Sequence, residues 1–195
     1  MSTIIEKILS DSNTYSRDVT RLGECKLPSP VRRHEFVNAD EIAKGLSPFN
    51  PEGVAIDAGK VMLQRINDLL EREETFAIET TLSSRTLKSL VKKAQSLGYN
   101  VKLIFFWLNS TQLAISRVAQ RVREGGHNIP QHVIRRRYVA GIRNLFKIFI
   151  PIVDNWLIAD NSATPRILIA EGGKNMDTVI YDEDRYNDVI QYMGK

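Results

Sequence analysis

HEFVNADEIAKGLSPFNPEGVAIDAGKVMLQRINDLLEREETFAIET, residues 34–80, reads as strand, helix, strand. HEFVNAD (34–40) is a short apolar run that ends in polar residues. PEGVAIDAGKVMLQRINDLLERE (51–73) opens on Pro51 and Glu52, as first helical turns do. Its apolar residues Val54, Ile56, Val61, Met62, Ile66, Leu69 and Leu70 approximate a helical stripe. TFAIET (75–80) is the second strand, and Glu79 directly follows its apolar core.

The alternation continues along the chain. SSRTLKSLVKKAQSLG (83–98) is a helix with serines at its start and Gly98 at its end. NVKLIFFWL (100–108) is nearly all apolar, as a strand covered on both faces must be. STQLAISRVAQRVREGG (110–126) and PQHVIRRRYVAGIRNLFKIFI (130–150) are two further helices joined through a Gly-Gly turn. NWLIADN and PRILIAEGG read as strands, and a short helix over roughly 183–193 closes the chain. This pattern predicts an α/β fold, a doubly wound parallel sheet with helices on both faces. The first 33 residues do not join it: STIIEKIL reads as a short helix or a strand, and DSNTYSRDVTRLGECKLPSPVRR is polar, lacks period and is broken by Pro28 and Pro30. The expected organisation is a divergent, possibly disordered segment over 1–33 and one domain over 34–195.

Composition sets outer bounds. A chain of 195 residues buries roughly 70% of its unfolded surface and needs no covalent staples. Cys25 is the single cysteine and cannot form an internal disulfide, which suits a reducing cytoplasm. No apolar run approaches the roughly 20 residues that span a bilayer. The N-terminal MSTIIEKILSDSN has acids close behind a short apolar stretch and makes a poor signal peptide. A net charge of +4 suits a phosphate-bearing ligand, and equally suits plain solvated surface.

In an open α/β sheet, ligands bind at the carboxyl ends of the strands. That places Asn38 and Asp40, Glu79 and Thr80, and Asn109 around one site. Two carboxylates on neighbouring strand ends can do acid–base work or hold a substrate hydroxyl. Asp40 can also serve simply as the cap of the helix that follows it. Glu79, at the end of a buried strand, needs a partner to offset its desolvation. A second constellation is basic. Arg117, Arg121, Arg123, Arg135, Arg136 and Arg137 flank EGGHNIPQ, with Glu124 the only acid among residues 117–137. Arginine's planar fork makes bidentate contacts to phosphate oxygens, so this pair of helices can close over a phosphate. It can also be a solvated face. His127 and His132 lack a third ligand at suitable spacing, so no metal site is expected.

FVNADEIAKGLSPFNPEGVAIDAGKVML, FAIETTLSSRT and LIFFWLNSTQLAISRVAQRVREGGHNIPQHVIRRRY, matching in order over about residues 34–162, resemble the zeta-toxin family of P-loop kinases. The resemblance implies a P-loop-kinase fold with a mobile helical lid at about 117–137. It implies ATP and Mg²⁺ as cofactors and transfer of a phosphoryl group to a hydroxyl, the acceptor of the best-known members being a UDP-linked amino sugar. It also implies a toxin's partnership with an antitoxin protein. By position, Asp40 matches the general base, Asn38, Glu79 and Thr80 the substrate side, and Arg117, Arg121, Arg135, Arg136 and Arg137 the phosphate-binding lid.

One departure is decisive. Members of that family carry a strand and G-x-x-x-x-G-K-[ST] ahead of FVNAD, and this sequence has no such motif. DAGKV (57–61) and EGGKN (171–175) each lack the leading glycine and the hydroxyl residue. RLGECKLPSP stands in the expected place, with Gly23 and Lys26 in no P-loop arrangement. Three explanations stay open: an N-terminus replaced by a frameshift or wrong start, a naturally degenerate member that binds without catalysis, and an unusual nucleotide site made by the lid arginines. The chain is therefore expected to be an impaired or inactive kinase as written. A non-catalytic interaction protein is the alternative. Nucleic-acid binding through the basic helices is another, against which stands the absence of a helix-turn-helix, zinc-finger or RNP pattern.

Overall fold

Strand β1 (Glu35–Asn38) lies parallel to β2 (Phe76–Glu79), in a register that pairs Glu35 with Phe76 and Asn38 with Glu79. This computed structural model describes residues 35–126 and 128–194. The divergent segment expected over 1–33, and His127, lie outside the described residues. Between the paired strands run α1 (Ala39–Leu46), a 3-10 turn (Pro51–Val54) and α2 (Ala55–Glu71). The helix expected from residue 51 thus begins four residues later. Ala58, Met62, Ile66, Leu69 and Leu70 form its buried face. Ile56 and Val61, placed in that stripe by the sequence pattern, are exposed.

After β2 the chain passes through α3 (Leu87–Ser96), β3 (Lys102–Trp107), α4 (Thr111–Arg123) and α5 (Gln131–Asn144). Ser110 caps α4 by accepting from the Leu113 N–H at 3.1 Å. Gly98 ends α3 with φ +82, a left-handed conformation that glycine adopts without strain. No side chain caps α3, so the serines expected in that role do not fill it. Helix α5 widens into a π turn over Leu145–Phe149, a feature often found at functional positions. The chain then enters β4 (Asn155–Asp160), which lies parallel to β3.

Strands β5 (Ile167–Gly173) and β6 (Met176–Ile180) depart from the all-parallel sheet expected from sequence. β5 pairs antiparallel to β4, and β6 antiparallel to β5. The reason is length. Only residues 161–166 join β4 to β5, whereas a parallel crossover needs about a dozen residues or more. β6 escaped notice in the sequence because it is largely exposed and carries no strong apolar period. Helix α6 (Glu183–Ile190) follows, close to the span expected.

Two ladders result: β1–β2, and β3–β4–β5–β6. Among the described residues no ladder joins β2 to β3. Side chains meet there instead, in a small buried cluster of Ala77, Ile104, Leu157 and Ala159. The main core lies among α2, α3, α5 and the strands, with Phe76, Phe105, Trp107 and Phe149 its largest fully buried members. Asp154 ties the base of this layer together. Its carboxylate accepts from the Val101 N–H at 2.7 Å, Gln95 Nε2 at 2.9 Å and Lys174 Nζ at 2.9 Å. Burial pushes this carboxyl up, but the three hydrogen bonds outweigh burial and hold it below the ordinary aspartate value.

Candidate functional site

The parallel register of β1 and β2 sets Asn38 beside Glu79 at the carboxyl ends of the strands. In-register neighbours of a parallel ladder point to the same side, so the two side chains meet. Asn38 Nδ2 donates to Glu79 Oε2 at 2.7 Å. The other end of the same amide caps α1: Asn38 Oδ1 accepts from the Asp40 N–H at 2.8 Å and the Glu41 N–H at 3.4 Å. Asn38, and not Asp40, is therefore the helix cap. Asp40 sits in the first turn with its carboxylate free of that duty. Its side chain is about half exposed, and Arg121 Nη1 stands 4.0 Å from its Oδ2. A pair this exposed adds little to stability, so its geometry bears on the ligand more than on the fold.

A cleft of about 700 Å³ opens above these groups. Asn38, Asp40, Glu79 and Thr80 line it from the strand ends, and Arg117, Arg121 and Arg137 from α4 and α5. The three arginines are placed differently. Arg117 Nη2 donates to the Asn161 carbonyl at 2.6 Å and more weakly to that of Ser162, which fixes its guanidinium against the end of β4. Arg121 and Arg137 are exposed and reach the cleft from α4 and α5. Arg135 and Arg136 are exposed and do not line it. Neither does Asn109, whose N–H donates to Ser162 Oγ at 2.8 Å.

The turn between α4 and α5 holds the arginine-bearing helices in place. Gly125 has φ +91, and the Gly126 N–H donates to the Arg121 carbonyl at 2.8 Å. A Cβ on Gly126 would lie 2.7 Å from Arg121 Cγ and 2.8 Å from Arg121 O. The Gly-Gly pair is thus required by a left-handed residue followed by a close approach.

Other lining residues were not legible in the sequence. Ile56, Gly59, Lys60 and Leu63 face the cleft from α2, on the side away from the core. The exposed apolar residues of that helix were the available signal. Lys60, part of DAGKV, pairs with Asp57 at 2.9 Å on the helix surface. Tyr138 and Leu108 also line the cleft, and the Tyr138 hydroxyl donates to the Leu108 carbonyl at 2.6 Å. Burial pushes this phenol well above the ordinary tyrosine value, so it stays a neutral donor.

A family model described as Zeta toxin matches residues 31–186. An uncharacterized protein of Haemophilus influenzae is 29% identical over 102 residues, covering 52% of this chain and 73% of its own. A solved structure from the PezAT chromosomal toxin-antitoxin system of Streptococcus pneumoniae superposes with a TM-score of 0.54 at 16% identity. The match covers 81% of this chain and 65% of that one, so the chain spans about two thirds of the structure it resembles.

Proposed function

The chain belongs to the Zeta toxin family, and from that premise we propose that its cleft is the acceptor side of a phosphotransferase site. The carrying observation is the Asn38 bridge. One amide caps the helix that presents Asp40 and orients the Glu79 carboxylate on the next strand. An acceptor hydroxyl held by Glu79, Asn38 and Thr80 would lie within reach of Asp40, whose carboxylate can take its proton. Arg121 and Arg137 line the same cleft, and their forks suit phosphate oxygens. The acceptor class we propose is a UDP-linked amino sugar, whose hydroxyls and diphosphate match the carboxylates and arginines that line one cleft.

Mg·ATP supplies the transferable phosphoryl group in kinases of this kind. The residues present do not complete a site for it. No G-x-x-x-x-G-K-[ST] occurs in residues 1–195, and the lysine of DAGKV lies on a helix surface paired to Asp57. The reading therefore extends to acceptor binding and proton transfer, and the chain by itself is a poor kinase.

The test is calorimetric titration of a UDP-linked amino sugar. Saturable binding to the parent chain is expected. Glu79→Gln should weaken it about ten- to a hundred-fold, the loss expected for a charge-assisted hydrogen bond. Asp40→Asn should leave it within a few-fold. Failure of the parent chain to bind overturns the reading.

A second reading is binding to a protein partner such as an antitoxin. Leu46, Phe49 and Ile56 are each more than half exposed, close together in sequence around the first two helices. Large exposed apolar side chains that cluster mark interaction surfaces more often than inert ones. No helix among the described residues is long and apolar enough to cross a membrane.

A further inference from the structure

Away from the cleft, a hollow of about 450 Å³ lies between the start of α3 and the end of α5. Arg85 and Lys88 line it on one side, Arg143 and Lys147 on the other, with Asn144 and Ile148 at its floor. Several cations elsewhere on the molecule have a carboxylate within 4.0 Å, among them Lys44, Lys60, Arg65, Lys174 and Arg185. Among the described residues none of the four cations of the hollow has one.

Their placement runs against local electrostatics. Arg85 and Lys88 flank the N-terminus of α3, the positive end of its dipole, where acids are favoured and none is present. Arg143 and Lys147 are four residues apart on one helix, a spacing that brings like charges together. The architecture nonetheless holds the two pairs face to face. Asn144, 3% exposed, donates from Nδ2 to the Leu82 carbonyl at 2.8 Å and pins α5 to the loop that carries Arg85. Leu82 is itself left-handed, with φ 53, and fully buried. The π turn over Leu145–Phe149 carries Lys147. A rigid frame that gathers four uncompensated cations around a concave space is complementary to a compact multivalent anion.

We propose that this hollow binds an oligophosphate, a short chain of phosphate groups either free or as the tail of a nucleotide. Two arginines offer bidentate forks and two lysines offer point charges. At about 450 Å³ the hollow has room for more than one phosphate group. This inference does not rest on the reading of the cleft. The two sites share no lining residue, although the loop over 80–87, the start of α3 and α5 contribute to both: Ser83, Ser84, Thr86, Leu87 and Arg137 line the cleft, Arg85, Lys88 and Arg143 the hollow.

The experiment is titration of sodium tripolyphosphate into the full chain at low salt, read by calorimetry. Three proteins are compared: the parent, Arg143→Gln/Lys147→Gln, and Arg121→Gln/Arg137→Gln. The glutamines keep the side-chain stems. Thermal melts check that each protein is folded, and the exposed single change Arg85→Gln stands in if the α5 double variant is not. The expected result is saturable binding to the parent, weakened about ten- to a hundred-fold by the α5 changes, or about tenfold by Arg85→Gln, because each removes charge-assisted contacts. The cleft changes should alter it by no more than a few-fold. ATP and free tripolyphosphate binding alike would show that the phosphate chain is what is recognised. Equal affinity in the parent and hollow variants, or no saturable binding, overturns the proposal. So does a short single-stranded DNA that binds the hollow more tightly than tripolyphosphate, which would make it a nucleic-acid surface.

Discussion

Asn38 and Glu79 are 41 residues apart in sequence and joined at 2.7 Å across two parallel strands. Because the same Asn38 side chain caps α1, helix start and strand end are locked to one amide. The two functions can be separated by substitution. Asn38→Ala removes both and should cost about 0.5–2 kcal/mol, the range for a lost cap. Asn38→Asp keeps an equally good cap but sets a carboxylate against Glu79. Chemical denaturation should therefore place Asn38→Asp above Asn38→Ala in stability, while acceptor binding suffers more in Asn38→Asp.

The 195-residue chain should show little acceptor-dependent ATP turnover. Phosphoryl transfer relies on positioning and charge neutralisation. Loss of one donor aimed at developing charge typically costs about 10²–10³ in rate. Here a loop of backbone donors, its lysine and its Mg²⁺ ligand are all missing from the sequence. Coupled-assay turnover with a UDP-linked amino sugar and micromolar Mg·ATP affinity would together refute this.

Asp154 should give the protein an acid-sensitive step. Its carboxyl is held below the ordinary aspartate value in the fold. The stabilisation it gives is thus fully present above the unfolded value of about 3.9 and is lost as pH falls through the lower folded value. Asp154→Asn should cost about 1–2 kcal/mol at neutral pH. The gap between the two proteins should close as pH drops below about 4, which urea titrations at stepped pH will read.

Two glycines near the cleft should respond in opposite directions to alanine. Gly126→Ala forces a Cβ against Arg121 backbone and side chain and should destabilise by about 1–3 kcal/mol. Gly59→Ala lies inside α2 with nothing within 4 Å of the added carbon, and should stabilise by about 0.5–1 kcal/mol. Denaturant midpoints of the pair test whether the α4–α5 turn is as tight as its geometry.

Much of this was legible in the sequence because apolar runs and glycine stops are local signals. KLIFFW announced a buried strand, and REGG announced the end of α4. The carboxyl-end rule for parallel strands was enough to bring Asn38, Asp40, Glu79 and Thr80 to one place. The double duty of Asn38 was not legible, since it depends on the register of β1 against β2, which no local pattern encodes. The antiparallel turn-back of β5 was hidden for the same reason: it follows from the reach of a six-residue connection, not from the strand's own residues. Which arginines face the cleft depends on helix rotation. Arg135, Arg136 and Arg137 are consecutive, so at about 100° per residue they cannot all share one side.

Among the described residues no ladder joins β2 to β3, which leaves a line of weaker attachment between the two sheets. A continuous sheet transmits load through backbone hydrogen bonds, but among the described residues no ladder crosses this line, where Ala77 packs in the cluster around Ile104 and Phe76 and Ile78 share the main core with Leu103 and Phe105. Under a pulling force the described body should part first along this line, with the strands that carry Asn38 and Glu79 on one side and the four-stranded sheet on the other. Separately expressed pieces ending and beginning near Gly98 should find each other again in solution, through a shared core and side-chain hydrogen bonds such as Asn144 Nδ2 to Leu82 O and Gln95 Nε2 to Asp154 Oδ2.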